Sequence, residues 1–207
     1  MSRVQGLYAV TRTPAVELPR LLAEVKAALA GGARVVQLRD KTSDTGARLE
    51  AALCLNALCR AHGAVFLVND DVAVAQASGA HGVHLGREDT AIEAARARLG
   101  SAAIIGASCY NRLDLARRAV LRGADYVAFG RFFPSRTKPE AVPAGVDLLR
   151  RARRELRVPL VAIGGITVDN GGALVAAGAH ALAVVGGLFD AEDVSERARR
   201  FTELFPR

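Results

Sequence analysis

The sequence predicts an α/β protein with a closed (β/α)₈ barrel, the TIM-barrel fold, formed by a single domain over residues 1–207. Short apolar or β-branched runs alternate with amphipathic stretches, and this unit recurs about every 26 residues. The predicted strands are apolar enough to be covered on both faces, which is typical of parallel sheets. Glycine follows many predicted helices, as at Gly31-Gly32 and Gly178, where a left-handed residue turns the chain toward the next strand.

Eight strand–helix pairs follow from these patterns. Each strand is predicted from a short run of apolar or β-branched residues, and each helix from the amphipathic stretch after it. In chain order the pairs are 7–11 with 17–30, 35–39 with 43–61, 65–69 with 72–77, 82–85 with 91–99, 104–108 with 113–122, 126–130 with 146–156, 160–164 with 168–177, and 181–185 with 193–205.

A flavodoxin-like or Rossmann sheet is the alternative fold. Such a sheet normally has fewer strands, and the turn at residues 10–14, which follows the first strand, has no glycine fingerprint. The barrel is therefore favoured. In a barrel the active site lies at the carboxyl ends of the strands and in the loops that follow them.

Composition excludes several classes of protein. A chain of 207 residues with 51% hydrophobic and 24% charged residues is globular rather than disordered. No apolar run approaches the roughly 20 residues that span a bilayer, and the first residues lack a secretory apolar region. We therefore expect a soluble cytoplasmic protein. Three cysteines form no disulfide framework, and Cys54 and Cys59 are expected to be buried small hydrophobic residues.

The net charge of +7 and the pI near 10.0 raise the question of a nucleic-acid partner. The dense basic cluster lies on one predicted helix, without interleaved aromatic residues or a DNA- or RNA-binding motif. We expect a solvated helix face and no nucleic-acid partner. The cluster consists of Arg150, Arg151, Arg153, Arg154 and Arg157.

The second predicted strand carries an unusual polar face. A period of two places Gln37, Arg39 and Lys41 together, opposite Val36 and Leu38. Cations that point toward the barrel mouth need an anion or carboxylates as partners. A guanidinium and an ammonium suit phosphate oxygens, so an anion site is favoured over an internal salt-bridge layer with Asp40 or another acid.

Two acids follow neighbouring strands. Asp70 comes after the third predicted strand and Asp89 after the fourth. Two carboxylates beside cations that bind phosphate are a typical site for Mg²⁺, which keeps water and substrate oxygens as its other ligands. Capping of the following helices is the alternative role for either acid.

The longest irregular stretch, residues 130–140, follows the sixth strand. A loop of this length on a barrel is typical of a lid or binding loop, although a proline-rich connector is the simpler interpretation. Its hydroxyl groups and Lys138 are suitable phosphate donors.

Glycine pairs follow the last two strands, at Gly164-Gly165 and Gly186-Gly187. Barrels commonly bind a phosphate with the loops at these two positions, through backbone N–H groups. After the fifth strand, Ser108 can donate a hydrogen bond, and no covalent role is expected for Cys109. For His84, a barrel-lining role and a catalytic role remain equally open.

These residues indicate two anion sites at one mouth, a cationic site with a divalent metal and a glycine-loop site. A protein with both is expected to join two phosphorylated molecules and to release pyrophosphate.

The motifs resemble those of the thiamine phosphate synthase family over almost the whole chain. They are VQLRDK at 36–41, VNDD at 68–71, GVHLGRED at 82–89, YVAFGRFFPSRTK at 126–138, VAIGGI at 161–166 and Val185-Gly186. The resemblance implies that 4-amino-2-methyl-5-(diphosphooxymethyl)pyrimidine condenses with 4-methyl-5-(phosphooxyethyl)thiazole. Thiamine phosphate and pyrophosphate would form by a dissociative mechanism assisted by Mg²⁺.

The resemblance also implies residue roles and partners. The two substrates are the expected partners, with neither nucleic acid nor membrane, and a homo-oligomer is left open. The pyrimidine diphosphate would be bound by Gln37, Leu38, Arg39, Asp40, Lys41, Asn69, Ser108 and Lys138. Of these, the catalytic residues would be Arg39, Lys41, Lys138 and Ser108. The metal ligands would be Asp70 and Asp89. The thiazole phosphate would be bound by Ser135, Arg136, Thr137, Gly165, Val185 and Gly186.

Four positions depart from the family pattern. Ser135 stands where threonine is common and Gly186 where serine is expected, while Arg131 and Arg12 replace a proline and an acid. These changes concern affinity and the thiazole site more than the activity.

Other functions for a barrel are a thiazole tautomerase, a sugar-phosphate aldolase or isomerase, and a non-catalytic ligand-binding relative. The tautomerase pattern has a histidine after the fifth strand, where this chain has residues 108–111, SCYN. The aldolase or isomerase would use Lys41 or Lys138 as a Schiff-base amine. The two metal acids speak against the non-catalytic relative.

Overall fold

A computed structural model describes residues 3–13, 15–86, 91–134 and 142–206. Within these ranges eight parallel strands close into a barrel, each paired with its neighbours in chain order and the last paired with the first. The predicted (β/α)₈ barrel is confirmed. The strands are β1 Gly6–Val10, β2 Val35–Leu38, β3 Val65–Asn69, β4 Gly82–Leu85, β5 Ile104–Tyr110, β6 Tyr126–Phe129, β7 Leu160–Ile163 and β8 Ala181–Val184.

The helices surround the barrel. They are α1 Leu18–Ala30, α2 Thr45–Ala61, α3 Val72–Ser78, α4 Ile92–Leu99, α5 Leu113–Leu121, α6 Val146–Glu155, α7 Val168–Ala176, α8 Gly186–Phe189 and α9 Val194–Thr202. All eight predicted helices are found, most with ends shifted by one or two residues. The short α8 was not predicted, and α9 ends at Thr202 rather than at 205.

Strand alternation separates two cores. Leu7 and Ala9 of β1 pack outward in the large core, whereas Tyr8 and Val10 belong to a smaller cluster inside the barrel. The Tyr8 and Tyr126 hydroxyls meet although their strands are not neighbours, so these side chains must point inward. The inner cluster gives the barrel a packed floor below its mouth.

The surface agrees with the predicted solvation of the basic helix. α6 buries Leu149 and Ala152 and exposes its arginines, and Arg150 pairs with Asp147 at 2.7 Å. In the ranges that the structure describes, no helix is long and apolar enough to cross a membrane.

Two of the three cysteines are buried. Cys59 and Cys109 are buried, and Cys54 is half-buried. Burial raises the pKa of the Cys59 and Cys109 thiols to about 12, so both are protonated near neutral pH.

Candidate active site

The carboxyl ends of the strands form one rim, and the predicted residues approach it from several sides. Asn69 ends β3, Ser108 lies near the end of β5, and the two glycine pairs follow β7 and β8. Asp89 and the residues Ser135, Arg136, Thr137 and Lys138 lie outside the described residues.

The cations after β2 are held by neighbouring loops. The Arg39 guanidinium donates to the Thr13 hydroxyl at 2.8 Å, and the Arg39 backbone N–H donates to the Thr11 hydroxyl at 2.8 Å. The Lys41 ammonium lies 3.1 Å from an Asp70 carboxylate oxygen, with the Lys41 side chain 53% exposed. The ends of β2 and β3 therefore bring Lys41 and Asp70 together at the mouth, while the Arg39 side chain is held by the loop after β1.

Asp40 shapes the loop after β2. One of its carboxylate oxygens accepts from the backbone N–H groups of Thr42 and Ser43, at 2.9 and 3.0 Å. Burial alone would raise the pKa of Asp40, but the hydrogen bonds from Ser43 and Thr42 outweigh burial and lower it. Its side chain therefore holds the turn that carries Lys41.

Leu38 packs outward, in the core between the barrel and the helices, and is 2% exposed. Leu38 and Asp40 thus both have structural contacts, and their assignment to the pyrimidine diphosphate stays a prediction.

The two consecutive acids after β3 have different tasks. Asp71 caps α3, accepting from the Val74 N–H at 2.9 Å. Asp70 has a left-handed backbone, with φ +63°, and its carboxylate is directed to Lys41 instead of to the helix. Helix capping, the alternative role for Asp70, is therefore performed by Asp71 instead. Among the described residues no group of three or more His, Cys, Asp or Glu could hold a metal.

A chain of hydrogen bonds crosses the barrel interior below the rim. The Gln37 amide N–H donates to the Tyr8 hydroxyl at 2.7 Å, and the Tyr8 and Tyr126 hydroxyls lie 2.9 Å apart. The Tyr126 hydroxyl lies 2.8 Å from Nδ1 of His84, whose Nε2 lies 2.9 Å from the Ser108 hydroxyl. His84 is therefore a barrel-lining residue bonded at both nitrogens.

A glycine makes this chain possible. Gly106 of β5 pairs with both His84 and Tyr126 in the sheet, and a Cβ on it would lie 2.0 Å from the Tyr126 ring. The Tyr126 ring occupies that space and stacks on His84, with centroids 5.5 Å apart. Sequence reasoning missed Tyr8 and Tyr126. Strand alternation places both tyrosines inside the barrel, and Gly106, two residues before Ser108, leaves space for a ring there. These two features were the signal available in the sequence.

The glycine pairs are sites of close backbone approach. Gly165 has φ +64°, and a Cβ there would lie 2.3 Å from the Pro134 carbonyl oxygen. The Phe133 N–H donates to the Gly164 carbonyl at 3.0 Å, so the loop after β7 packs directly on the start of the loop after β6. A Cβ on Gly187 would lie 2.2 Å from the Ile166 carbonyl oxygen.

Gly186 begins α8, directly after Val185, and its space is set by an ion pair. A Cβ there would lie 2.6 Å from a carboxylate oxygen of Asp190. Arg12 pairs with that carboxylate at 2.9 Å and with Glu24 at 3.1 Å, and it also donates to the Phe189 carbonyl. Arg12, one of the departures from the family pattern, thus ties the loop after β1 to α8.

A closed parallel barrel with charged and hydrogen-bonding side chains at its carboxyl rim is the architecture of a (β/α)₈ enzyme. Comparison with known proteins identifies which kind. Residues 7–188 match the family model described as thiamine monophosphate synthase. The thiamine-phosphate synthase of Chromobacterium violaceum is 57% identical over 203 residues, covering 98% of this chain and 97% of that protein.

Two further relatives agree. The thiamine-phosphate synthase of Thiobacillus denitrificans is 56% identical over 97% of this chain and 94% of that protein. The solved structure of the thiamine phosphate pyrophosphorylase from Pyrococcus furiosus superposes with a TM-score of 0.88 at 36% identity, over 97% of this chain and 95% of that one. The chain belongs to the thiamine monophosphate synthase family and is a transferase that forms thiamine phosphate.

Proposed function

We propose that the enzyme forms thiamine phosphate by joining the pyrimidine diphosphate to the thiazole phosphate, with release of pyrophosphate. The observation that carries this proposal is the pairing of Lys41 with Asp70 at the rim, with a second cation, Arg39, in the same loop after β2. A cation and a carboxylate at one site suit a diphosphate that arrives with a divalent metal.

The diphosphate would lie against the ends of β2, β3 and β5. Arg39 and Lys41 supply positive charge, and Asn69 and Ser108 supply neutral hydrogen bonds. Lys138, which lies outside the described residues, would add a further charge. These groups stabilise the negative charge that develops on the leaving pyrophosphate.

Mg²⁺ fits the acid at this rim. Proteins hold Mg²⁺ through one or two carboxylates, with substrate phosphate oxygens and water completing the shell. The half-buried Asp70 carboxylate faces the Lys41 ammonium and is not used as a helix cap. Asp70 and Asp89 would hold the ion, which would neutralise charge on the diphosphate.

The order in which bonds break and form follows from the substrate chemistry. The aminopyrimidine stabilises a methylene cation, so the C–O bond breaks before the new bond forms, and the thiazole nitrogen then captures the cation. The chain needs no nucleophile, and its part is to align the two rings and bind the leaving group. Cys109, near the site in sequence, is buried and protonated.

The thiazole phosphate would lie at the neighbouring side of the rim. β7 and β8 pair directly, so Gly165 is near Val185 and Gly186. Backbone N–H groups of these residues would bind the phosphate together with Ser135, Arg136 and Thr137, which follow β6 in the sequence. We further propose a single-domain cytoplasmic enzyme whose partners are these two small molecules.

The test is to incubate the purified chain with both phosphorylated precursors and Mg²⁺ and to quantify thiamine phosphate and pyrophosphate. Equal amounts of the two products are expected. A folded protein that makes neither product would contradict the proposal. Borohydride with a sugar-phosphate carbonyl compound should trap no imine on this chain, whereas a Schiff-base aldolase would be trapped at a lysine.

A further inference from the structure

The number of protons available in the interior hydrogen-bond chain determines which group donates and which accepts at each step. We call Gln37, Tyr8, Tyr126, His84 and Ser108 the interior relay. Each phenol carries one proton, because burial raises the pKa of both Tyr8 and Tyr126. Each hydroxyl can therefore donate one hydrogen bond and accept others.

The direction starts at Gln37. Its amide nitrogen faces the Tyr8 hydroxyl and can only donate. Within the described part of the chain, the other polar partner of the Tyr8 hydroxyl is Tyr126. Tyr8 must therefore donate its own proton to Tyr126, since a buried donor left without an acceptor is costly.

The same reasoning extends to His84. The Tyr126 hydroxyl accepts from Tyr8, so its proton goes to Nδ1 of His84. An Nδ1 that accepts a hydrogen bond leaves the proton of the neutral ring on Nε2. Nε2 then donates to the Ser108 oxygen, and the Ser108 proton does not point back to the ring.

We propose that Tyr8, Tyr126 and His84 are positioning residues, which fix His84 as the Nε2–H tautomer and so direct the Ser108 hydroxyl proton to the mouth of the barrel. The catalytic part of this inference rests on the proposed function, in which Ser108 donates to the diphosphate. The reverse direction would turn the Ser108 proton inward and leave the diphosphate without that donor.

The first test is independent of activity. Nitrogen-15 NMR of the substrate-free enzyme at pH 8, with labelled histidine, reports which ring nitrogen carries the proton. His84 is one of four histidines and is assigned by the signal that His84→Gln removes. The relay predicts the proton on Nε2 of His84. A proton on Nδ1 would overturn the direction.

Two variants that each remove one hydroxyl and keep the aromatic ring separate the effect of the hydrogen bonds from the effect of packing. Tyr126→Phe removes the donor to Nδ1 and should produce a mixture of tautomers or the Nδ1–H form. Tyr8→Phe removes the hydrogen bond that fixes the direction of the Tyr126 proton, so it should also allow the Nδ1–H form to appear. If Tyr126→Phe keeps the wild-type tautomer, Tyr126 does not fix it and the proposal is wrong.

The second test connects the relay to turnover. Ser108→Ala should lower kcat about 100-fold, as expected when one donor to a developing anion is lost. Tyr126→Phe should lower kcat about tenfold in the wild type and have no further effect in the Ser108→Ala background. Additive losses would show that Tyr126 acts elsewhere. If the enzyme makes no thiamine phosphate at all, the proposed function fails while the tautomer measurement still decides the relay.

Discussion

The two sides of the barrel rim carry different kinds of residues. The side at β2 and β3 has charged side chains, with Lys41 53% exposed and 3.1 Å from Asp70. The side at β7 and β8 has glycines, where a Cβ on Gly165 or Gly187 would lie 2.3 or 2.2 Å from a carbonyl oxygen. The first side can bind an anion through positively charged side chains, and the second through backbone N–H groups that the anion can approach closely. We therefore expect substitutions at the first side to affect catalysis, and crowding substitutions at the second to affect stability.

The largest effect is expected from removal of the metal, which involves the charged side alone. Turnover should fall about 1,000-fold or more in excess EDTA, because charge stabilisation by a metal is worth several kcal/mol. Addition of Mg²⁺ beyond the chelator should restore it. Full activity in EDTA would remove the metal role of Asp70.

Loss of one cation should have the next largest effect. Arg39→Ala and Lys41→Ala should each lower kcat/KM about 100-fold, since a charge-assisted contact to the leaving group is removed. Thermal unfolding should change little. Arg34→Ala is the matched control, because Arg34 is exposed at the opposite end of β2. Wild-type kinetics in both rim variants would leave the cationic site without support.

Gly165→Ala tests the glycine side. Gly165 and Gly63 have nearly the same left-handed φ, +64° and +65°, but among the described residues no atom lies within 4 Å of a Cβ at Gly63. Gly63→Ala should lower the free energy of unfolding by about 1 kcal/mol, from backbone strain alone. Gly165→Ala should lower it by about 3 kcal/mol, because overpacking is added. Equal losses in urea unfolding would show that the loop after β7 is not tightly packed.

The smallest effect concerns the turn that carries Lys41. Asp40→Asn should lower the free energy of unfolding at pH 7 by about 1 kcal/mol, since a charged acceptor of several hydrogen bonds becomes neutral. The pKa of Asp40 is lowered in the folded state, so its stabilisation is present above the ordinary value of 3.8 and is lost as pH falls through the folded pKa. The difference in the free energy of unfolding between variant and wild type, measured by denaturation at pH 7 and in acid, should become smaller as the pH falls. A difference independent of pH would contradict this role.

Local patterns predicted much of this arrangement. Strand alternation placed Gln37 inside the barrel, and the positions of strand ends brought Asp70 near Lys41. The sequence could not show that Asp71 caps α3 while Asp70 faces Lys41, because this difference depends on the left-handed backbone of Asp70. Tyr8 and Tyr126 are 118 residues apart, and their contact depends on barrel closure and the space above Gly106. The roles of Asp89 and Lys138 stay predictions.

Calorimetric titration of Mg²⁺–pyrophosphate into three proteins tests the difference between the two sides most directly. We expect the wild type to bind, Arg39→Ala to bind at least about tenfold more weakly, and Gly186→Ala to bind like the wild type. Among the described residues, the atoms nearest to an alanine methyl at Gly186 belong to the end of the exposed Asp190 side chain, which can move. Undiminished binding to Arg39→Ala, or a loss confined to Gly186→Ala, would contradict the assignment of the diphosphate to the charged side.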